Sequence, residues 1–243
     1  MTLPRPTLRL LGALAMSAGL ALAGGCGVSP QPEPPSFLPP SIDLSLVGFG
    51  SDEKGGLTLV GEPGAVTNGA TLGEIDLDAT TDEVTGKVER DGSFVVALTG
   101  ASTDVRRLQA HNRELSSDPV DVREVTGLQG GGGLVKAPGA LDDCLFIAPD
   151  LELGPVAPGT TTMVKLINRC ESAVTVSAVT LRQGSPAWGI TAATPIDIPL
   201  QATRSFAVRY SPQPGDAIDD VLFVELTAPT TGRRAITLRG EAP

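Results

Sequence analysis

The chain has 243 residues and a formal net charge of −10, from 28 acidic and 18 basic residues. This acidic excess excludes nucleic acid as a partner, because phosphate binding needs clusters of lysine and arginine. Glycine (29 residues) and proline (21 residues) are frequent, and beyond the N-terminal segment no stretch has the apolar spacing of an amphipathic helix. Short alternating runs between turn residues favour an all-β protein.

Residues 1–25 have the organisation of an export signal. Arg5 and Arg9 precede an apolar run over residues 10–23, and small residues lead to Cys26. The run is shorter than the roughly 20 apolar residues of a membrane-spanning helix, and its flanks are typical of a cleaved secretory signal. Because the signal contains two cations and no acid, its removal takes the net charge from −10 to −12.

The cleavage region identifies a class of exported protein. The run Leu22-Ala23-Gly24-Gly25-Cys26 resembles the lipobox of bacterial lipoproteins, although that family usually has leucine where this chain has Ala23. The resemblance implies a mature protein that begins at Cys26 and is anchored by acyl chains such as palmitate. Gly27 follows the cysteine, and the absence of aspartate there implies the outer membrane. An ordinary signal peptide with a chance cysteine is the alternative.

A proline-rich segment follows the expected anchor. Six prolines occur among the 14 residues of 27–40, a composition that favours extended, semi-rigid polyproline conformations. We therefore interpret residues 26–40 as a lipidated cysteine and a tether between the membrane and the folded part.

Residues 41–126 are expected to form the first of two β-sandwich domains. Alternation predicts inward-facing Phe94, Val96 and Leu98, while Arg107, Gln109 and His111 should face outward. Asp91-Gly92 predicts a tight hairpin turn. The expected strands are Ile42–Phe49, Leu57–Gly61, Ala70–Asp78, Thr85–Glu89, Ser93–Leu98, Arg106–Asn112 and Val120–Val125.

The first domain resembles bacterial immunoglobulin-like repeats of surface proteins. The motifs that carry this resemblance are Gly61-x-Pro-Gly64, Asn68-Gly69-Ala70, Asp91-Gly92-Ser93-Phe94 and the run from Ser116 to Val122. Seven short strands at this spacing suit an immunoglobulin-like sandwich.

Residues 127–140 are interpreted as a linker. Four consecutive glycines, residues 130–133, lie in it, and glycine loses the most conformational freedom when it is ordered. A phosphate-binding loop would need a Gly-Lys-Ser/Thr ending before a helix, and the sequence here has neither. Limited proteolysis should therefore cut first at these glycines.

Residues 141–243 are expected to form the second sandwich. They resemble the ASH/Hydin type of β-sandwich, which is related to major sperm protein and is seen in bacteria as choice-of-anchor D domains. This resemblance implies an immunoglobulin-like fold and a protein-interaction role. The motifs that carry it are Leu151–Val156, Pro158-Gly159, Val164–Asn168, Val174–Val176, Phe206–Pro212, Gly215, Val221–Leu226 and Ile236–Gly240.

Two cysteines follow Cys26, and both lie in the second domain. Export places Cys144 and Cys170 in an oxidising compartment, and each flanks an expected strand, so neighbouring strand ends can bring them together. We predict a disulfide rather than a metal site, since the sole histidine, His111, belongs to the other domain.

No catalytic motif is recognisable, and neither a cofactor nor a metal is expected. His111 is interpreted as a solvated side chain, because a Ser-His-Asp triad would need it and no Gly-x-Ser-x-Gly elbow is present. Trp188 is either a core residue or an anchor for a partner. Two aspartate groups are interpreted as solvated loops, with calcium binding as the alternative: Asp76, Asp78 and Asp82, and Asp216, Asp219 and Asp220.

The sequence therefore predicts a non-enzymatic, lipid-anchored envelope protein. Its sandwiches would bind or space other, unidentified envelope proteins, mainly through an edge strand or a loop patch of the second domain. The alternative is a lipid-anchored hydrolase with an unrecognised carboxylate site, which would require a concave pocket with convergent polar groups.

Overall fold

A computed structural model describes residues 38–113, 115–125 and 133–243. These residues contain strands and one 3-10 turn (Leu44–Leu46) but no α-helix, so the expected all-β class is correct. The expected signal peptide, Cys26, the tether up to residue 37 and residues 126–132 lie outside the described residues. No helix of the described part is long and apolar enough to cross a membrane.

The first sandwich contains nine strands in two antiparallel sheets. They are β1 (Val47–Ser51), β2 (Leu57–Gly61), β3 (Thr71–Asp76), β4 (Val84–Lys87), β5 (Phe94–Ala97), β6 (Arg106–Asn112), β7 (Leu115–Ser116), β8 (Val120–Val125) and β9 (Gly133–Lys136). One sheet, here called N-outer, has the order β1-β2-β5. The other, called N-inner, has the order β4-β3-β6-β8-β9, with β7 paired to β6.

Strict alternation builds the core of the first sandwich. Phe94 and Val96 of β5 face Leu108 and Ala110 of β6 between the sheets, and all four side chains are buried. The period of two along a strand places these residues on one face. The inward set predicted from sequence is confirmed.

The turn at Asp91-Gly92 differs from the expected hairpin. Gly92 has a φ of 87°, but Asp91 is not in the left-handed region, and the flanking strands β4 and β5 belong to different sheets. The turn therefore carries the chain across the end of the sandwich. A side chain at Gly92 would lie 2.6 Å from the carbonyl oxygen of Val66, so the close packing at this end requires glycine.

Strand β9 lies inside the segment expected to be linker. It pairs with β8 from Val125↔Gly133 to Val122↔Lys136, and Leu134 packs against the core of the first sandwich. Residues 133–136 are thus strand rather than linker. Pairing with β8 and the packing of Leu134 on the core stabilise this segment as a strand.

The second sandwich also contains nine strands. They are β10 (Leu145–Ala148), β11 (Glu152–Val156), β12 (Thr161–Asn168), β13 (Val174–Leu181), β14 (Trp188–Thr191), β15 (Ile196–Ile198), β16 (Thr203–Tyr210), β17 (Asp219–Ala228) and β18 (Gly232–Gly240). The C-outer sheet has the order β10-β12-β16-β14, and the C-inner sheet has the order β11-β18-β17-β13-β15, in which β11 runs parallel to β18.

A disulfide joins Cys144, just before β10, to Cys170, just after β12, with an S–S distance of 2.04 Å. Strands β10 and β12 are antiparallel, and their pairing starts at Leu145↔Asn168. The start of β10 therefore lies beside the end of β12, which brings the two cysteines together. The structure thus contains the predicted pairing.

The two inner sheets pack against each other by the faces that point away from their own cores. Residues 38–243 form one compact unit of four layers in the order N-outer, N-inner, C-inner and C-outer. A separate apolar cluster lies at the junction of the inner sheets, formed by Ile75, Leu77, Val221, Phe223 and Ala235.

Candidate functional site: the junction between the sandwiches

Arg107 on β6 is the central polar residue of the junction. Its guanidinium binds both carboxylate oxygens of Asp121, at 2.7 and 2.9 Å, within the first sandwich. It also donates across the junction to the Ala235 carbonyl (2.8 Å) and the Thr237 hydroxyl (3.0 Å). The side chain is 1% exposed. A bidentate pair with further hydrogen bonds satisfies a buried guanidinium.

Two arginines of the second sandwich reach in the opposite direction. Nε of Arg182 donates to the carbonyls of Asp76 (2.9 Å), the last residue of β3, and of Ala79 (2.8 Å) in the loop that follows. Arg233 donates to the carbonyl of Leu77 at 2.8 Å and its guanidinium stacks 4.5 Å from the Phe223 ring centroid. The junction is thus built from both sides by cations that satisfy backbone carbonyls of the partner sandwich.

A third group of polar residues surrounds Arg239 on β18. Its Nη2 donates to Oε1 of Gln109 at 2.7 Å and lies 3.3 Å from Nε2 of His111. Its Nε lies 3.0 Å from Glu152 Oε1 but off the N–H direction, so this contact is an ion pair without a hydrogen bond. Gln109 donates in turn to Glu152 at 2.6 Å.

Both ring nitrogens of His111 have polar contacts. Nε2 lies 3.3 Å from the Arg239 donor and 3.9 Å from Glu83 Oε1, and Nδ1 contacts the Ser116 hydroxyl at 2.8 Å, contacts that fit a neutral ring whose Nε2 accepts and whose Nδ1 carries the proton. Burial, and secondarily the Arg239 charge, lower the pKa of His111. His111 faces outward from its own sandwich as predicted, but the second sandwich partly covers it, so the side chain is half-buried rather than fully solvated.

A cavity of about 320 Å³ opens beside this network, between the two sandwiches. Its wall includes Glu83 from the first sandwich and Asp219 from the second. Burial raises the pKa of both carboxyl groups, and the nearby Arg239 charge opposes this effect in each. Carboxyl groups with raised pKa in a cleft are a feature of acid–base sites, so this cavity is the place where the described residues come nearest to such chemistry.

The composition of the cavity wall limits what it can bind. It combines carboxylates with two cations, Arg182 and Arg239, and no aromatic side chain is among its lining residues. Glycoside-binding clefts use aromatic rings for stacking. The wall has the charged character of a salt-bridged junction, not that of an apolar ligand pocket with a few polar groups.

The aspartates considered for calcium serve turns and the junction. Asp76 accepts the backbone N–H of Asp78 at 2.9 Å, and Asp78 accepts that of Val105 at 2.7 Å. Asp220 accepts from the backbone of Gln183 and Ser185, each at 2.9 Å. Within the described residues no three or more acidic, histidine or cysteine side chains are grouped to hold a metal ion.

Sequence reasoning missed a buried charge cluster inside the first sandwich. Arg106 is fully buried and pairs with Glu74 at 2.7 Å, while Asp76 lies 3.6 Å away. Burial raises the pKa of Glu74, and Arg106 opposes the rise. On β3 and β6 these three residues alternate with residues that face outward. The sequence therefore contained a signal, because the period of two assigned charged residues to core positions.

Trp188 lies in the core of the second sandwich. The side chain is 4% exposed, donates to the Ile218 carbonyl at 3.0 Å and stacks against Tyr210 with ring centroids 4.4 Å apart. Of the two interpretations of Trp188, its position supports the core residue, because a buried ring cannot contact a partner.

Comparison with known proteins yields little. No protein-family model matches the chain, and no curated protein matches it. A solved structure from Porphyromonas gingivalis W83, described as a protein of unknown function, is 14% identical, with a TM-score of 0.34, and the match covers 84% of this chain and 100% of that one.

Proposed function

We propose that this chain is a lipid-anchored protein of the bacterial cell envelope, held through Cys26, whose paired sandwiches form a rigid non-catalytic body. This body binds or spaces other envelope proteins. The signal peptide, the cysteine after small residues and the proline-rich segment support the anchor, and Gly27 favours the outer membrane.

One observation carries the non-catalytic part of the proposal. The polar side chains at the junction, which include the sole histidine, are engaged with each other and with backbone groups. Such a network fixes the orientation of the two sandwiches relative to one another, since the arginine hydrogen bonds across the junction form in only one arrangement. A rigid body of fixed length suits a spacer or a binding platform.

Replacement of the anchor cysteine tests localisation. Cys26→Ser should move the protein from the membrane fraction to the soluble fraction, or leave the signal uncleaved. Wild-type protein should incorporate radiolabelled palmitate, and the variant should not. The variant Cys144→Ser/Cys170→Ser is the matched control and should still be lipidated. Wild-type fractionation of Cys26→Ser would contradict the anchor.

A second candidate function rests on the junction cavity. Glu83 and Asp219 both have raised pKa values there, and a hydrolase with a carboxylate acid or base would place its site at this cleft. If the purified protein cleaves a glycan, peptide or ester, Glu83→Gln and Asp219→Asn should abolish that activity without unfolding, whereas exposed Glu89→Gln should not. Complete inactivity of the wild-type protein on these substrate classes supports the non-catalytic proposal.

A further inference from the structure

The outward face of the C-outer sheet has an unusual composition for an acidic chain. The register of its strands assigns twelve residues to this face, and none of them is acidic. They lie in four rows across the sheet: Phe146, Ile167 and Thr203; Ala148, Lys165 and Ser205; Met163, Ala207 and Thr191; Thr161, Arg209 and Gly189.

Large apolar side chains are exposed on this face. Phe146 is 51% exposed and Met163 is 47% exposed, with half-buried Ile167 directly across from Phe146. Single exposed apolar residues are normal, but these three lie on the same face of one sheet. Apolar side chains gathered on such a surface indicate a contact site.

The cations of this face have no acidic neighbour. Within the described residues neither Lys165 nor Arg209 forms an ion pair, whereas the three arginines of β18 on the C-inner sheet all do. The C-outer face therefore offers positive charge to an incoming surface. Its complement must be acidic or neutral, since an incoming cation would be repelled.

The opposite end of the four-layer body has an uncharged face with one exposed large apolar side chain. On the N-outer sheet, Val95 is 66% exposed. Its neighbour on β2 is Val60, and the neighbour of Val60 on β1 is Gly48, so these three residues form one row across the sheet. The next row across the same face is Ala97, Thr58 and Gly50, so the paired rows have no charge. The turns that border this sheet contain Asp52, Glu53, Glu62, Glu89 and Asp91 together with Lys54 and Arg90, which gives an acidic excess.

The edge of the C-outer sheet at β10 offers little to a partner strand. Arg234 donates to the Leu145 carbonyl at 2.8 Å, and the Leu145 N–H donates to Leu141 at 2.8 Å. In an antiparallel edge strand, every second residue directs its backbone N–H and C=O away from the neighbouring strand. In β10 these residues are Leu145 and Ile147, and since the groups of Leu145 are already bonded, only those of Ile147 remain for a partner strand. A partner is therefore expected on the face of the sheet rather than as an added strand at β10.

From these two faces we infer that copies of this chain stack head to tail, with the C-outer face of one copy on the N-outer face of the next. The inference rests on the proposed function, in which the rigid body acts as a spacer. The exposed valine surface of one copy would cover Phe146 and Met163 of its neighbour, and the acidic turns would meet Lys165 and Arg209. Because the two faces are different, the contact is heterologous, and because they lie at opposite ends of the body, each copy keeps one face free for the next, so the contact repeats from copy to copy into a row.

Cysteine cross-linking in intact cells tests this arrangement with the full chain. Cys26 is committed to lipid in the proposed function and Cys144 is paired with Cys170, so introduced cysteines report on their own positions. Val95→Cys and Met163→Cys replace exposed residues. Co-expression of the two single variants should give a disulfide-linked dimer under mild oxidation, and the double variant should give a ladder of multimers.

Charge-reversed variants sharpen the test. Lys165→Glu/Arg209→Glu in the double-cysteine background should reduce the ladder at least about tenfold, since like charges across an interface are disfavoured. Arg123→Glu/Lys136→Glu makes the same change in net charge on exposed residues of the N-inner sheet and should leave the ladder unchanged.

Other outcomes would overturn the inference. A dimer from Met163→Cys alone would indicate a symmetric contact between two C-outer faces, and the absence of cross-links would indicate that neither face binds a second copy. If cross-links are absent while Cys26→Ser still releases the protein from the membrane, the stacking is wrong and the anchored-spacer proposal stands. Trp188 fluorescence of each variant checks that the second sandwich is folded.

Discussion

The two sandwiches share an architecture but differ in what fills them. Among the described residues, the second core contains 20 buried apolar side chains, with both Trp188 and Tyr210, and a disulfide closes one end. The first core contains 13, with Phe94 as its one fully buried aromatic, and it also encloses the Arg106 charge cluster. The first sandwich therefore has less apolar burial to offset the entropy of folding.

This difference indicates that the first sandwich depends on the second. Residues on the outward face of the N-inner sheet are nearly inaccessible only because the C-inner sheet covers them; Arg107 is 1% exposed and Gln109 is 3% exposed. The chain contains one tryptophan and one tyrosine, both in the second core. Tryptophan fluorescence thus reports on the second sandwich, and far-UV circular dichroism reports on both.

Loss of the central junction arginine should have the largest effect. Arg107→Ala leaves the half-buried Asp121 carboxylate without its partner and removes the hydrogen bonds to Ala235 and Thr237. Breaking such a buried pair costs about 3–5 kcal/mol. Urea denaturation should show this loss of stability. The circular dichroism signal should begin to change at a lower urea concentration than the tryptophan fluorescence. Exposed Arg90→Ala is the control, and a cost below about 0.5 kcal/mol for Arg107→Ala would contradict a coupled junction.

Removal of the disulfide should act on the other sandwich. The Cys144–Cys170 link spans 26 positions, and loop-closure entropy for this length gives about 3–4 kcal/mol. Cys144→Ser/Cys170→Ser should therefore move the tryptophan-detected transition to lower urea. Reduction of the wild-type protein should reproduce the shift, and no shift in either sample would mean that the link is not formed in the protein.

Two glycines under aromatic rings allow a matched test of both cores. A Cβ at Gly61 would overlap the ring of Phe94 in the first core, and one at Gly240 would overlap that of Tyr210 in the second. Overpacking of this kind costs about 1–3 kcal/mol. Gly61→Ala should lower the urea midpoint of the transition seen by circular dichroism. Gly240→Ala should lower the urea midpoint of the transition seen by tryptophan fluorescence. A Cβ at Gly48 would meet nothing within 4 Å, so Gly48→Ala should leave both midpoints unchanged. Equal shifts from all three substitutions would contradict the close contacts of Gly61 and Gly240 with the aromatic rings.

The smallest expected effect is a pH dependence at His111. Burial lowers its pKa below the ordinary value of 6.5, so its contribution to stability is complete above pH 6.5 and is lost as pH falls through the lowered pKa. The raised pKa values of Glu83 and Asp219 act in the opposite direction, with stability lost as pH rises. Both carboxyl groups remain in His111→Gln, so the difference between the two proteins isolates the histidine.

Urea denaturation at several pH values measures this difference. The advantage of wild type over His111→Gln should shrink as pH falls below 6.5, the ordinary pKa of histidine. A constant difference across the acid range would show that His111 keeps an ordinary pKa and is not enclosed by the second sandwich.

Local sequence determined much of the strand pattern. The boundaries of β2, β6 and β8 match the predictions, because each is an alternating run between turn residues. The Cys144–Cys170 pair matches the prediction made from flanking strand ends and expected export. Strand β9 was missed, since its short apolar segment follows a glycine run and becomes a strand only by pairing with β8.

The tertiary structure alone decided the junction. Arg107, Gln109 and His111 alternate with core residues on β6, and this alternation is the same whether the outward face meets water or another sheet. Sequence periodicity distinguishes inside from outside within one sandwich, but it contains no information on what covers the outside. The cover depends on contacts between residues about 130 positions apart, such as Arg107 with Thr237 and Gln109 with Arg239, and those contacts form only when both sandwiches are folded.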